Sequence, residues 1–183
     1  MPRLWYPNVS HVAMVRQLMA ARFFPEYQEA SPPPLFGALS GASGLASLES
    51  ALNVIRQPYY RRVHDKAGAL LRSMIKNHPF IDGNKRIALV TTYNFLALNN
   101  QLFILTTNAE MVDRALRIAK SEPDMPWQDV ARWIEANCVP DSVTEEDFLA
   151  KLADRPPEVV EQIRKQTAHI SGLFSDVAKQ LGS

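Results

Sequence analysis

His78-Pro79-Phe80-Ile81-Asp82-Gly83-Asn84-Lys85-Arg86 packs more usable chemistry into its nine positions than any other stretch of this 183-residue chain. It holds an imidazole, a carboxylate, a Gly-Asn pair and two adjacent cations, and a helix-forming run from Ile87 to Asn99 follows at once. An imidazole with a pKa of about 6.5 accepts a proton near neutrality. A carboxylate can hold Mg²⁺. The N–H groups of a Gly-containing turn entering a helix form a concave anion site. Base, metal ligand and anion cradle together describe phosphate chemistry.

Taken singly, some of these residues have plainer explanations. His78 ends a helical run, where a histidine can be only a partner for the helix dipole. Asp82 can be a helix N-cap, a role compatible with metal binding. Phe80 should point inward and anchor the loop. Gly83 permits φ > 0, so the N–H groups of Gly83 and Asn84 can converge on one phosphate oxygen. Lys85 and Arg86 fall in the first helical turn, where positive charge opposes the dipole. Two cations at the wrong end of a helix call for a bound anion.

Outward from the motif the pattern is helical. Ala67, Leu70, Leu71, Met74 and Ile75 form one stripe of a helix over Val63 to Asn77. The run from Ile87 to Asn99 is apolar on most of its circumference and belongs at the centre of the fold. Val12, Val15, Leu18 and Met19 mark a helix from Val9 to Phe23. Residues 31 to 44, with three consecutive prolines, read as a loop. Helical spacing resumes from Leu45 to Ile55 and stops before Pro58. Arg56-Gln57-Pro58-Tyr59-Tyr60-Arg61 is too short for a helix, and its aromatic pair suits a short β-hairpin flap. Gln101 to Leu105 reads as a brief strand. Asn108 is a suitable N-cap for a helix ending at Lys120, and Pro126 opens another that runs to Asn137. Pro140-Asp141 marks a break, followed by helices over Glu145 to Ala153 and Glu158 to Leu181. The expectation is a mainly α fold: a helical bundle around a central buried helix over residues 1–140, with a β-hairpin flap, and a helical C-terminal extension over 141–183.

Composition narrows the function classes. A hydrophobic share of 46%, a charged share of 21% and a net charge of +1 are those of an ordinary globular protein, with no bulk attraction to nucleic acid or an anionic membrane. The Tyr59-Tyr60-Arg61-Arg62 stretch alone is a poor case for nucleic-acid stacking. One cysteine, Cys138, excludes an internal disulfide and a thiolate zinc site. The residues from Met1 to Pro7 lack the apolar run of a signal peptide, and no apolar stretch is long enough to span a bilayer. A cytoplasmic protein is expected.

The motif resembles the HxFx[DE]GNxR signature of Fic/Doc (Fido) proteins. Gly44 to Leu52 is similar to the helix before that family's flap, and Asn108 to Val112 to the helix after its central strand. The resemblance covers roughly residues 5 to 138. Adenylyl-transferring members carry Gly after the Asn and a second Arg three residues beyond the first; here those positions are Lys85 and Leu89. Both departures resemble the Doc (death-on-curing) toxin branch, which phosphorylates a protein hydroxyl. The resemblance implies that His78 is the general base toward a Ser or Thr hydroxyl, and that Asp82 is the ligand of Mg²⁺. It also implies that Phe80, Gly83 and Asn84 shape the nucleotide site, and that Lys85 and Arg86 bind and neutralise the transferred phosphoryl group of ATP. Residues Arg56 to Arg61 would be the target-docking flap. The implied target is elongation factor Tu, with arrest of translation, and the implied partner is a small antitoxin. Adenylylation of a Ser, Thr or Tyr of a target protein is the alternative.

Overall fold

The computed structural model describes residues 4–23, 38–120 and 123–165. Along them run α1 (Val9–Phe23), α2 (Gly41–Val54), α3 (Val63–Asn77), α4 (Asn84–Ala97), β1 (Gln101–Phe103), α5 (Asn108–Ala119), α6 (Trp127–Ala136), β2 (Cys138–Pro140) and α7 (Glu145–Lys151). A further helix, α8, covers residues 157–165. The rest of the helix expected to reach Leu181 lies outside the described residues, as do residues 31–37 of the expected loop.

The stripe on α3 is buried as its spacing predicts, and the helix packs against α2, α4, α5 and α6. Its neighbour α4 is buried around most of its girth, including Ile87, Ala88, Phe95 and Leu96. These two helices, consecutive in sequence and packed on each other, form the middle of the bundle, and the nine-residue motif spans the link between them and the first turn of α4. Among the described residues the fold is mainly helical, with one small antiparallel sheet.

Several boundaries move for identifiable reasons. α2 begins at Gly41, inside the stretch read as loop, where Gly44 N and Ser43 Oγ both donate to Ser40 O. α4 begins three residues before Ile87, because Gly83 (φ 84°, ψ 1°) supplies a left-handed N-cap. α5 is capped by Thr107 rather than Asn108. Thr107 Oγ1 accepts from Glu110 N at 3.2 Å, and Glu110 Oε2 accepts from Thr107 N at 2.7 Å, a reciprocal capping box. β1 finds its partner in a strand that the sequence reading missed, in the register Gln101↔Pro140, Leu102↔Val139 and Phe103↔Cys138.

No hairpin forms over Arg56–Arg61, which make a turn and a bend between α2 and α3. The aromatic side chains there serve packing instead of strand pairing. Buried Tyr60 meets Trp127 edge-on with ring centroids 4.9 Å apart, and Arg56 lies 4.7 Å from the Tyr6 ring centre. Lys66 Nζ, buried beneath this turn, donates to Ile55 O at 2.7 Å.

The core continues past residue 140. Leu152 and Ile163 are buried in the same hydrophobic cluster as α3 and α4. Arg155 Nη1 donates to Glu110 Oε1 at 2.9 Å, tying the segment after α7 to the start of α5. Among the described residues no helix is long and apolar enough to cross a membrane.

Candidate active site

His78 stands at the C-cap of α3 in the left-handed region (φ 47°, ψ 55°), with its side chain exposed. This conformation is rare for a residue with a Cβ and turns the chain sharply out of the helix. Pro79 and Phe80 then pass inward, and Phe80 is 5% exposed, the anchor expected of it. Ile81 and Asp82 face outward.

Asn84 closes the turn. Its Oδ1 accepts from Phe80 N at 3.0 Å and its Nδ2 donates to Phe80 O at 2.7 Å, so the buried side chain holds both polar groups of one residue. That adds a second role to the one expected of Asn84. Its side chain shapes the loop, which leaves its backbone N–H for the anion-binding role expected of the turn. Asp82 Oδ1 accepts from Gly83 N at 2.6 Å, so Asp82 is not the N-cap of α4 but binds the N-cap residue. With the Gly83 N–H engaged, the N–H groups that the helix start leaves without intrahelical partners are those of Asn84 and Lys85. Lys85 is half-buried and Arg86 exposed on the same first turn.

Asp82 is exposed, and its bond to Gly83 N leaves the second carboxylate oxygen facing outward from that bond. Among the described residues there is no group of three or more His, Cys, Asp or Glu side chains able to hold a metal. One carboxylate beside an anion cradle fits Mg²⁺ that arrives with a phosphate chain, since Mg²⁺ commonly takes one or two carboxylates plus phosphate oxygens.

The backbone beside the motif comes from residues 38–40. Leu39 and Phe80 form an antiparallel bridge, Ile81 N donates to Ala38 O at 2.9 Å, and Ser40 N donates to Pro79 O at 3.1 Å. The residues expected to form the flap lie elsewhere. Arg56–Arg61 precede the first turn of α3 and His78 follows its last, so the helix separates them by roughly 22 Å. The structure thus brings His78, Phe80, Asp82, Gly83, Asn84, Lys85 and Arg86 together, and leaves Arg56, Gln57, Pro58, Tyr59, Tyr60 and Arg61 apart from them. Ser40, Gly44 and Asn77 border the site without having been singled out, because isolated small and polar residues carry no periodic signal.

A cavity of about 420 Å³ opens beside α7 and α8, lined by residues that include Leu149, Leu152, Arg155 and Val160, and it contains no motif residue. Burial, with the Glu135 charge nearby, pushes the Cys138 thiol up to about 12, so it offers no thiolate nucleophile near neutrality.

Residues 10–96, which contain the whole motif, match the model of the Fic/DOC family. Over this region the chain is similar to the Fic/DOC family. Toxin Doc of Mycolicibacterium smegmatis (strain ATCC 700084 / mc(2)155) is 50% identical to the chain over 40 residues. That stretch is 22% of this chain, and the chain spans 31% of that relative's length. No solved structure matches the chain. The Fic/DOC match ends within α4, so β1, α5 to α8 and β2 lie beyond it.

Proposed function

We propose that the Fic/DOC region transfers the γ-phosphate of ATP to a Ser or Thr hydroxyl of a target protein, and so acts as a Doc-like toxin. Elongation factor Tu is the expected target and a small antitoxin the expected restraining partner. The observation that carries the proposal is the reversal between α3 and α4. An outward-facing imidazole at the end of one helix stands within six residues of the cationic N-terminus of the next.

In this mechanism His78 accepts the hydroxyl proton as the acceptor oxygen attacks the γ-phosphorus. The bond from that phosphorus to the β,γ-bridging oxygen breaks, and ADP leaves. The N–H groups of Asn84 and Lys85 hold phosphate oxygens, while the Lys85 and Arg86 side chains offset the charge that spreads over them. Asp82 would hold Mg²⁺, which supplies further charge neutralisation on the phosphate chain. Lys85 favours γ-transfer over adenylylation because its side chain occupies and charges the space beside the α4 N-terminus. Leu89, half-buried against the core, supplies no second cation. The partial identity to Toxin Doc supports the toxin assignment.

Incubating the protein with Mg–ATP and elongation factor Tu, then weighing the target, tests the proposal. A gain of one phosphoryl group that disappears in His78→Ala supports it. A gain of one AMP moiety replaces it with adenylylation, and an unmodified target removes elongation factor Tu.

A further inference from the structure

We infer that the first turns of α2 hold His78 in its left-handed conformation, making Gly44 and Asn77 positioning residues for the proposed phosphoryl transfer. The inference rests on the base role given to His78, and it assigns work to residues 40–47, outside the nine-residue motif.

A left-handed residue with a Cβ persists only where its surroundings over-determine it. Both neighbours of His78 are fastened to α2. On one side, Asn77 Nδ2 donates to Ser47 O at 3.2 Å. On the other, Pro79 O accepts from Ser40 N and from Ser40 Oγ, each at 3.1 Å. Between these two attachments α2 presses directly on the loop at Gly44. A Cβ placed there would stand 2.5 Å from Pro79 O and 2.8 Å from Ser40 Oγ. The first of these contacts is with backbone and cannot be relieved by a rotamer change. One residue further on, Phe80 is held by Asn84. The exposed imidazole is therefore mounted on a short link whose two ends cannot move independently of α2. For a base that must reach a hydroxyl proton, displacement by about 1 Å can cost on the order of 100-fold in rate.

The geometry sets an order of effects. Gly44→Ala drives α2 and the Pro79 carbonyl apart. Asn77→Ala frees one attachment without adding bulk. Ser40→Ala removes the hydroxyl bond and keeps the backbone bond. Expected falls in kcat for transfer from Mg–ATP to elongation factor Tu are roughly 10- to 100-fold, roughly 5-fold and under about 2-fold. The KM for ATP stays within about twofold of wild type in all three, because the N–H cradle belongs to α4. Ala46→Ser, on the exposed face of α2, serves as the control for a change in that helix. Thermal unfolding is followed for every variant, and Asn77→Ala carries the test if Gly44→Ala does not fold.

A second readout does not depend on the reaction. The Cα and Cβ chemical shifts of His78 report its left-handed backbone, and they should move toward right-handed or extended values in Gly44→Ala and Asn77→Ala. Wild-type kcat in both variants, equal losses in kcat and in apparent ATP affinity, or unmoved His78 shifts would overturn the inference. Absence of any transfer by the wild-type protein would instead strike the proposed function, and the chemical shifts would still decide the clamp.

Discussion

The two ends of α3 are built on opposite principles. At its start, charged and aromatic groups are consumed by one another. Arg62 is bound by Asp65 and Glu135, Lys66 by Ile55 O, and Tyr60 by Trp127. At its end the backbone carries the organisation. Asn84 grips the Phe80 peptide and α2 grips the residues on either side of His78, while the side chains of His78, Asp82 and Arg86 face outward. Chemistry-bearing side chains stay at the surface when other side chains hold the loop through its main-chain groups. A dense cluster of functional groups that satisfy one another is architecture.

The sharpest way to break this comparison is at His78. His78→Ala should abolish transfer, a loss on the order of 100- to 10,000-fold, with thermal stability unchanged because the side chain is exposed. His78→Gly should be equally inactive yet more stable than His78→Ala by about 1 kcal/mol, since only glycine adopts the left-handed region without a steric penalty. Calorimetry of the two variants beside the transfer assay checks both statements. Equal stabilities would mean that the backbone there is not left-handed.

Asn84→Ala should lower stability by about 2–4 kcal/mol, because two buried groups of Phe80 lose their partners at once. Activity should fall with it even where the protein remains folded, since the loop that carries Asp82 is released. At the other end, Lys66→Met should cost about 1–3 kcal/mol by leaving Ile55 O without its donor. There the activity per folded molecule should persist. Urea unfolding and specific activity, measured on the same preparations, separate the two cases. Loss of activity in Lys66→Met at full folding would couple the ends of α3.

The smallest effect belongs to Arg62. Its ion pairs are largely exposed, so Arg62→Ala should cost no more than about 1 kcal/mol, and less at high salt. Burial raises the Asp65 carboxyl, but the hydrogen bonds and charge of Arg62, with a contribution from His64, outweigh it and leave the pKa below the usual 3.8. A depressed carboxyl stabilises the fold above its unfolded pKa. That stability is lost as pH falls below 3.8 and through the lower folded value. The difference between wild type and Arg62→Ala should shrink over this window, as read from urea midpoints against pH.

Much of this arrangement was legible in the sequence. The stripe on α3 and the apolar girth of α4 placed both helices, and the residues of the motif arrived together because they share one turn. No hairpin forms over Arg56–Arg61 because packing of Tyr60 on Trp127 overrides the strand preference of the Tyr59-Tyr60 pair. The backbone that runs beside Phe80 belongs to residues 38–40, in a Ser-, Pro- and Gly-rich stretch without periodicity. β2 escaped notice because three residues ending in Pro140 give no alternation to read. The second role of Asn84 was also hidden, since composition cannot say which way a side-chain amide turns.

The central claim is that a phosphate chain docks on the N-terminus of α4, next to the His78 imidazole. Amide chemical-shift mapping of the folded protein, titrated with Mg²⁺ and a non-hydrolysable ATP analogue, tests it most directly. The largest changes should fall on Asn84 and Lys85, with the His78 ring responding as well. Changes centred on the turn before α3 or on the cavity near Arg155, or no response at millimolar nucleotide, would contradict it.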